Sequence, residues 1–320
     1  MNGSSKHDLA SSLRGPRGPG ELGLGLAALG RPAYINLGHG DDVRDATVDG
    51  MERAAHAVLD RAHERGVRRF DAARSYGLAE RFLASWLGAR GLGRDDVWIS
   101  SKWGYAYTGG WRLDAEHHEV KELSGAQLRR QWAETQELLG PWLRLYQIHS
   151  ATVKSGVLDD LEVRAGFEEV RAAGVRIGLS ATGPEQRATI DRALEVGGFD
   201  EVQATWNLHE RSAEDALARA ADAGLEVYVK EALANGRLTD RGAPPALLAA
   251  AREQDTTPDA LALAAALAQP WATVDLSGAT TVEQLESNLA ARDVVWEGGL
   301  EELAEEPEAY WSTRSSLAWN

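Results

Sequence analysis

The chain has 320 residues, 43% of them hydrophobic, no cysteine and a formal net charge of −15 at pH 7. Without cysteine there are no disulfides, thiolate metal centres or cysteine nucleophiles, and the acidic balance disfavours nucleic acid or an anionic membrane as partner, since both reward clustered Lys and Arg. No apolar run reaches the roughly 18 residues of a membrane helix.

Residues 1–20, MNGSSKHDLASSLRGPRGPG, contain no apolar segment of the secretory type and are expected to be a flexible leader on a cytoplasmic protein. From there on, short β-type runs alternate with stretches of helical apolar spacing. The runs are Leu22–Leu29, Val67–Asp71, Val97–Lys102, Leu143–His149, Val175–Leu179, Glu201–Thr205, Leu225–Val229 and Ala272–Leu276. Helical spacing is read over Met51–Arg65, Gln127–Leu139, Leu161–Ala173, Pro184–Val196, Ala213–Ala223 and Val282–Ala291. Such alternation implies parallel strands joined by right-handed crossovers. Eight of them predict a (β/α)8 TIM barrel as a single domain over 21–295, with an open doubly wound sheet as the alternative. Residues 296–320 are expected to pack over the barrel mouth.

Helix punctuation agrees with this pattern. Thr182–Glu185 and Thr280–Glu283 have capping-box spacing, and Gly66, Gly174 and Gly224 each stand between a helix and the next strand. Two connections are long, Tyr34–Gly50 and Gly104–Ser124, and both leave the strand ends where barrel active sites lie. The Gly-x-Gly-x-x-Ala match at Gly23–Ala28 follows a Pro/Gly leader rather than closing a strand that opens a helix, so it reads as a glycine-rich first strand.

The informative residues are the polar ones where apolar runs stop: Asp71, Lys102, His149, Ser180 and Lys230, with Tyr76 five residues past Asp71. Singly, each has a bland reading as a turn residue, a satisfied core group or packing. In a barrel they face one cavity. An ammonium beside a phenol lowers its pKa from about 10, an aspartate offsets the burial of the lysine, and a neutral imidazole polarises a carbonyl oxygen. The product is a proton donor aimed at a carbonyl, and that is what carbonyl reduction requires.

On these residues the sequence resembles the aldo-keto reductase family. The matching pieces are FDAARSYGLAE, ISSKWG, LYQIHS, IGLSATG, VQATWN and SGATTVEQLESNL, in order between Leu22 and Ala291. The resemblance implies Tyr76 as general acid or base, Lys102 held by Asp71, His149 positioning a carbonyl, and hydride exchange with a nicotinamide cofactor. It implies that Ser180 and Gln203 hold the carboxamide and that Ser277, Gly278, Thr281, Gln284 and Asn288 form the clip at its adenosine phosphate end; Leu233 is expected at the cofactor, and Lys230 is read either as lying against the nicotinamide or reaching the pyrophosphate, or as paired with Glu231. The family expectation is NADPH. The departures are Ala181, where many members have Asn, Lys230 in place of a stacking aromatic, and Gly278 and Gln284 in place of cations. They leave NADH open, with backbone N–H groups and Thr281 as remaining phosphate ligands.

The substrate is expected to be a small carbonyl compound or alcohol. Trp103, Tyr105 and Trp206 are candidate pocket residues, which suits a ring-bearing or sugar substrate; with 11 tryptophans, several are equally suited to packing loops onto the barrel. Arg74 is read as meeting an anion or bracing its loop, and His117 and His118 as loop residues without metal-ligand spacing. A monomer or weak oligomer is expected. Two other functions are weighed: a Schiff-base enzyme using Lys102 or Lys230, and a non-catalytic cofactor-binding sensor.

Overall fold

The computed structural model describes residues 20–320, so the expected leader falls outside the described residues apart from Gly20. Ten strands are present: β1 (Glu21–Gly25), β2 (Arg69–Asp71), β3 (Trp98–Trp103), β4 (Tyr105–Tyr107), β5 (Glu119–Lys121), β6 (Leu143–Ala151), β7 (Arg176–Ala181), β8 (Glu201–Thr205), β9 (Glu226–Lys230) and β10 (Val274–Ser277). Eight of them, in the order β1-β10-β9-β8-β7-β6-β3-β2, close into a parallel barrel. The remaining two, β4 and β5, pair antiparallel as a hairpin inside the long connection Gly104–Ser124, where the sequence analysis reads no strand.

The helices are α1 (His39–Asp42), α2 (Val48–Glu64), α3 (Ala79–Arg90), α4 (Gly125–Leu139), α5 (Leu161–Ala172), α6 (Gln186–Val196), α7 (Glu214–Asp222), α8 (Pro245–Glu253), α9 (Pro258–Leu267), α10 (Val282–Leu289) and α11 (Pro307–Ser315). A single apolar face explains most of them. In α2 the buried residues Met51, Ala55, Val58, Leu59 and Ala62 recur at helical spacing, and the Thr47 hydroxyl accepts from Gly50 N–H at the N-terminus, 3.1 Å. Helix α9 is buried on all sides, so no apolar stripe marks it in the sequence.

Two capping expectations change. Helix α6 begins at Gln186 after Glu185, with no side-chain cap, because Gly183 turns away at φ +84° and separates Thr182 from the helix. The Gln186 side chain instead pairs with the Thr205 backbone through both its polar atoms, at 2.9 and 3.2 Å. At α10 the cap is Thr281 rather than Thr280, accepting from Gln284 N–H at 3.2 Å, while Gln284 Oε1 accepts from Thr280 N–H at 2.9 Å.

The first strand is shorter than its apolar run, because after Gly25 the chain turns back and Gly30 N–H donates to Leu26 C=O, 3.2 Å. Gly30 then meets the loop after β2: its C=O accepts from Leu78 N–H at 2.7 Å. A Cβ at Gly30 would collide with the carbonyl of Tyr76. Only glycine allows this approach, and it seats Tyr76 over the barrel mouth.

Candidate active site

Four side chains meet at the C-terminal ends of β2, β3 and β6. Asp71 ends β2, Lys102 lies one residue before the end of β3, and His149 lies near the end of β6. Lys102 is 1% exposed and Asp71 2%, and they form a direct ion pair. The Lys102 ammonium also donates to Ala72 C=O at 3.1 Å and to the Tyr76 hydroxyl at 3.3 Å. Asp71 is further held by Ser100 Oγ at 2.7 Å and by Gln147 Nε2 at 3.0 Å. The His149 ring stands edge-on to Tyr76, with centroids 5.4 Å apart, and its Nδ1 lies 3.4 Å from Ser75 Oγ.

The electrostatics refine the sequence-based expectation. Burial, reinforced by the Asp71 carboxylate, pushes the Tyr76 phenol well above its ordinary value, and Arg31 works in the opposite direction. The resting phenol is therefore a stored proton. His149 is driven well below its ordinary value by burial, then by Lys102, Lys230 and other cations, so the imidazole is neutral.

These residues open on a cleft of about 710 Å³. Tyr76, His149 and Tyr105 line it, as do Gly278, Gln284 and Asn288, with Gln203, Lys230, Leu233 and Ser277 also on its wall. Ser180 is buried at the barrel rim, where its hydroxyl accepts from Ser150 N–H at 2.8 Å. Gln203 Nε2 points toward Gln147 Oε1 at 3.3 Å. Ser277 and Asn288 pair with each other at 2.7 Å. Thr281 spends its hydroxyl on the α10 cap, and the N–H groups of Thr280 and Gln284 are satisfied within the chain. This removes part of the anion-binding capacity expected at that helix start.

Lys230 donates to Thr205 Oγ1 at 3.0 Å and lies 3.9 Å from Glu231; burial lowers it to about 8. Glu231 is claimed chiefly by Arg314 of α11, at 2.6 Å. Despite its burial, Arg314 and Lys230 hold the Glu231 carboxyl at about 2.

Two of the expected pocket residues lie elsewhere. Trp103 is fully buried with its ring against Phe167 of α5, because successive strand residues face opposite sides of the barrel wall and its neighbour Lys102 takes the inner side. Trp206 packs against Trp271 and donates to Glu214 at 3.1 Å. Tyr105 does line the cleft, its ring 5.0 Å from that of His149. Arg74 is a brace, bonded to Glu80 and, at 2.7 Å, to Glu134.

Other residues of the cleft carry no strand-end signal. Arg31 and Asp42 come from the long connection after β1, Glu119 from β5, Arg241 from the segment after β9, and Arg314 and Trp319 from the C-terminal segment. The lengths of the two long connections point to Asp42 and Glu119 and the aromatic C-terminal stretch to Arg314 and Trp319, while no sequence signal points to Arg31 or Arg241. Among the described residues no group of His, Asp or Glu could hold a metal ion, and no helix is long and apolar enough to cross a membrane.

The geometry defines a (β/α)8 barrel with a Tyr–Lys–Asp–His cluster beside an open cleft. The profile of the aldo/keto reductase family matches residues 21–297, and the chain belongs to that family. Among solved structures, the aldo-keto reductase AKR11C1 from Bacillus halodurans, in its holo form, is similar at 22% identity, covering 92% of this chain and 91% of that one, with a TM-score of 0.67. A structure described as an aldo-keto reductase from Pseudomonas aeruginosa is similar at 23% identity over 86% of this chain and 91% of its own, with a TM-score of 0.62. At these identities the likeness concerns the fold. No curated protein matches the sequence significantly. Family membership makes the chain an oxidoreductase of aldo-keto reductase type.

Proposed function

We propose that the protein is a nicotinamide-dependent carbonyl reductase, equally able to run the reverse oxidation of an alcohol. The observation that carries this reading is the ammonium of Lys102 shared between the Asp71 carboxylate and the Tyr76 hydroxyl at 3.3 Å, at the wall of an open cleft. The cleft has room for a dinucleotide, about 710 Å³, and the Asn235 Oδ1 on its wall is buried without a hydrogen-bond partner, ready to accept from a ribose hydroxyl or an amide. Gln203, Lys230 and Leu233 would hold the nicotinamide half, and Ser277, Gly278 and Gln284 the adenosine half.

When bound, a reduced nicotinamide supplies a hydride to the carbonyl carbon. The phenol of Tyr76 gives its proton to the carbonyl oxygen, and the phenolate left behind gains the hydrogen bond from Lys102 in full charge-assisted form. His149, neutral and with Nδ1 beside Ser75, presents its other nitrogen to the same oxygen and orients it.

The surroundings of Asp42 on the cleft wall favour NADH over the family expectation of NADPH. Asp42 is held there by Arg241, at 2.6 and 2.8 Å, and by Gln284 Nε2 at 2.8 Å. In spite of partial burial, these hydrogen bonds keep its carboxyl below the usual range, so it is an anion at neutral pH. A carboxylate accepts from a ribose 2′-hydroxyl and repels a 2′-phosphate.

The Schiff-base reading loses Lys102, whose ammonium is locked in three hydrogen bonds. The sensor reading leaves the assembled cluster without a purpose. The deciding experiment is tryptophan-fluorescence titration with NADH and NADPH, followed by turnover of simple aldehydes. Saturable binding with turnover supports the reductase; binding of neither nucleotide, or borohydride trapping of Lys230 with a carbonyl substrate, overturns it.

A further inference from the structure

Among the described residues, four Lys or Arg side chains line the cleft: Arg31, Lys230, Arg241 and Arg314. Three of them meet a carboxylate directly, Arg31 with Glu119 at 2.8 Å, Arg241 with Asp42 at 2.6 Å and Arg314 with Glu231 at 2.6 Å. Lys230 does not. Glu231 stands 3.9 Å from its ammonium, and both Glu231 oxygens already accept from Arg314, at 2.6 to 3.0 Å. The Lys230 ammonium donates instead to the neutral Thr205 hydroxyl of β8, at 3.0 Å. Its side chain keeps 17% of its surface exposed, so it is within reach of a ligand in the cleft. Lys230 ends β9 and emerges at the barrel mouth with the catalytic cluster. Its charge helps to keep His149 neutral, and the charge of Lys102 acts on it in turn.

We propose that Lys230 lies against the nicotinamide ring and makes the site discriminate between its two redox states, holding the neutral reduced ring and repelling the cationic oxidised one. The proposal rests on the reductase reading. Like charges a few ångströms apart repel, and more strongly where water is scarce. Lys102 and Arg314 contribute less, since Asp71 and Glu231 neutralise them in direct contact. An aromatic ring at this place would stack on either state and attract the cationic one; this chain has lysine there. The equilibrium between the two bound states therefore lies further toward the reduced cofactor than it does in solution. The charge is also adjustable. Burial lowers Lys230 to about 8, Glu231 opposes this, and Arg314 of α11 and Lys102 of β3 add to it; His149 of β6 faces it as a neutral ring. As Lys230 loses its proton, the repulsion of the oxidised ring goes with it, since proton and ligand affect each other's binding reciprocally.

The test measures dissociation constants of NADH and NAD⁺ by tryptophan fluorescence at pH 7 in the wild type, Lys230→Met and Lys230→Arg. The ratio of the NAD⁺ to the NADH constant should fall by at least about tenfold in Lys230→Met and stay within about threefold in Lys230→Arg, which keeps the charge. A second measurement needs no variant. Between pH 7 and pH 9 the wild-type NAD⁺ constant should fall by at least about threefold, with the NADH constant steady within about twofold. Equal weakening of both nucleotides in Lys230→Met places the ammonium on the pyrophosphate and overturns the assignment. So does a ratio that does not move, or a wild-type NAD⁺ constant independent of pH. These outcomes leave the reductase intact. Binding of neither nucleotide by the wild type overturns the reductase reading, and the assignment falls with it.

Discussion

The Lys102 ammonium reaches the Tyr76 hydroxyl at 3.3 Å while paired with the Asp71 carboxylate. This lysine therefore stabilises charge on Tyr76 mainly when that charge forms, since in the resting state Asp71 neutralises it and burial keeps the phenol protonated. Tyr76→Phe should lower kcat by about 100-fold or more, the range for removing a general acid. Nicotinamide affinity should stay within about threefold, because the lost hydroxyl is engaged by Lys102 rather than by the nucleotide end of the cleft. Steady-state kinetics with a parallel fluorescence titration measures both, and wild-type turnover by the variant would defeat the assignment.

His149 gives the pH dependence its shape. Its depressed pKa, from burial and the surrounding cations, means that the imidazole is already neutral well below pH 6.5. The prediction is a kcat/KM profile without an inflection between about pH 6 and 8 from this group, where an ordinary histidine titrates. An inflection near 6.5 that disappears in His149→Gln would show that the imidazole is cationic in the working enzyme.

The balance between the two nicotinamides should turn on Asp42. Removing its carboxylate in Asp42→Ala deletes a repulsive charge and frees Arg241, now bound to it at 2.6 and 2.8 Å, for a phosphate. The ratio of the NADPH to the NADH dissociation constant should fall by at least about tenfold, or about 1.4 kcal/mol. A ratio that does not move means that the 2′ position lies away from Asp42.

The strand-end polar residues were legible because a parallel barrel brings every such end to one face. Asp71, Lys102 and His149 needed only that rule, whereas Tyr76, five residues past its strand, needed the family resemblance as well. Arg31, Asp42, Glu119 and Arg241 were not legible in this way. Each lies between barrel strands, and its place depends on tertiary contacts between segments far apart in sequence: Arg31 meets Glu119 across 88 residues, and Asp42 meets Arg241 across 199. Trp103 misled for the opposite reason. Its position next to Lys102 suggested the pocket, whereas the period of two in a strand turns neighbours to opposite sides. Helix α9 shows the same limit in the fold, since a helix buried all round has no periodic stripe.

The barrel interior carries a liability that the chemistry does not use. Glu201 and Asp275 are completely buried, and none of their carboxyl oxygens has a hydrogen-bond partner. Burial pushes both well above the ordinary carboxylate range, with Asp71 and Glu226 adding to the effect on Glu201. A carboxyl whose folded pKa is raised contributes stability that is complete below its unfolded pKa of about 4 and is lost as pH rises through the folded pKa. The protein should therefore be more stable near pH 5 than near pH 9 as far as these two groups decide. Asp275→Asn, which stays neutral at every pH, should flatten that slope and gain about 1–3 kcal/mol over the wild type at pH 9, with a smaller difference at pH 5. Urea unfolding of both proteins at the two pH values measures this. Equal losses in wild type and variant between pH 5 and 9 would place the titrating groups elsewhere and show that Asp275 keeps its charge by admitting water.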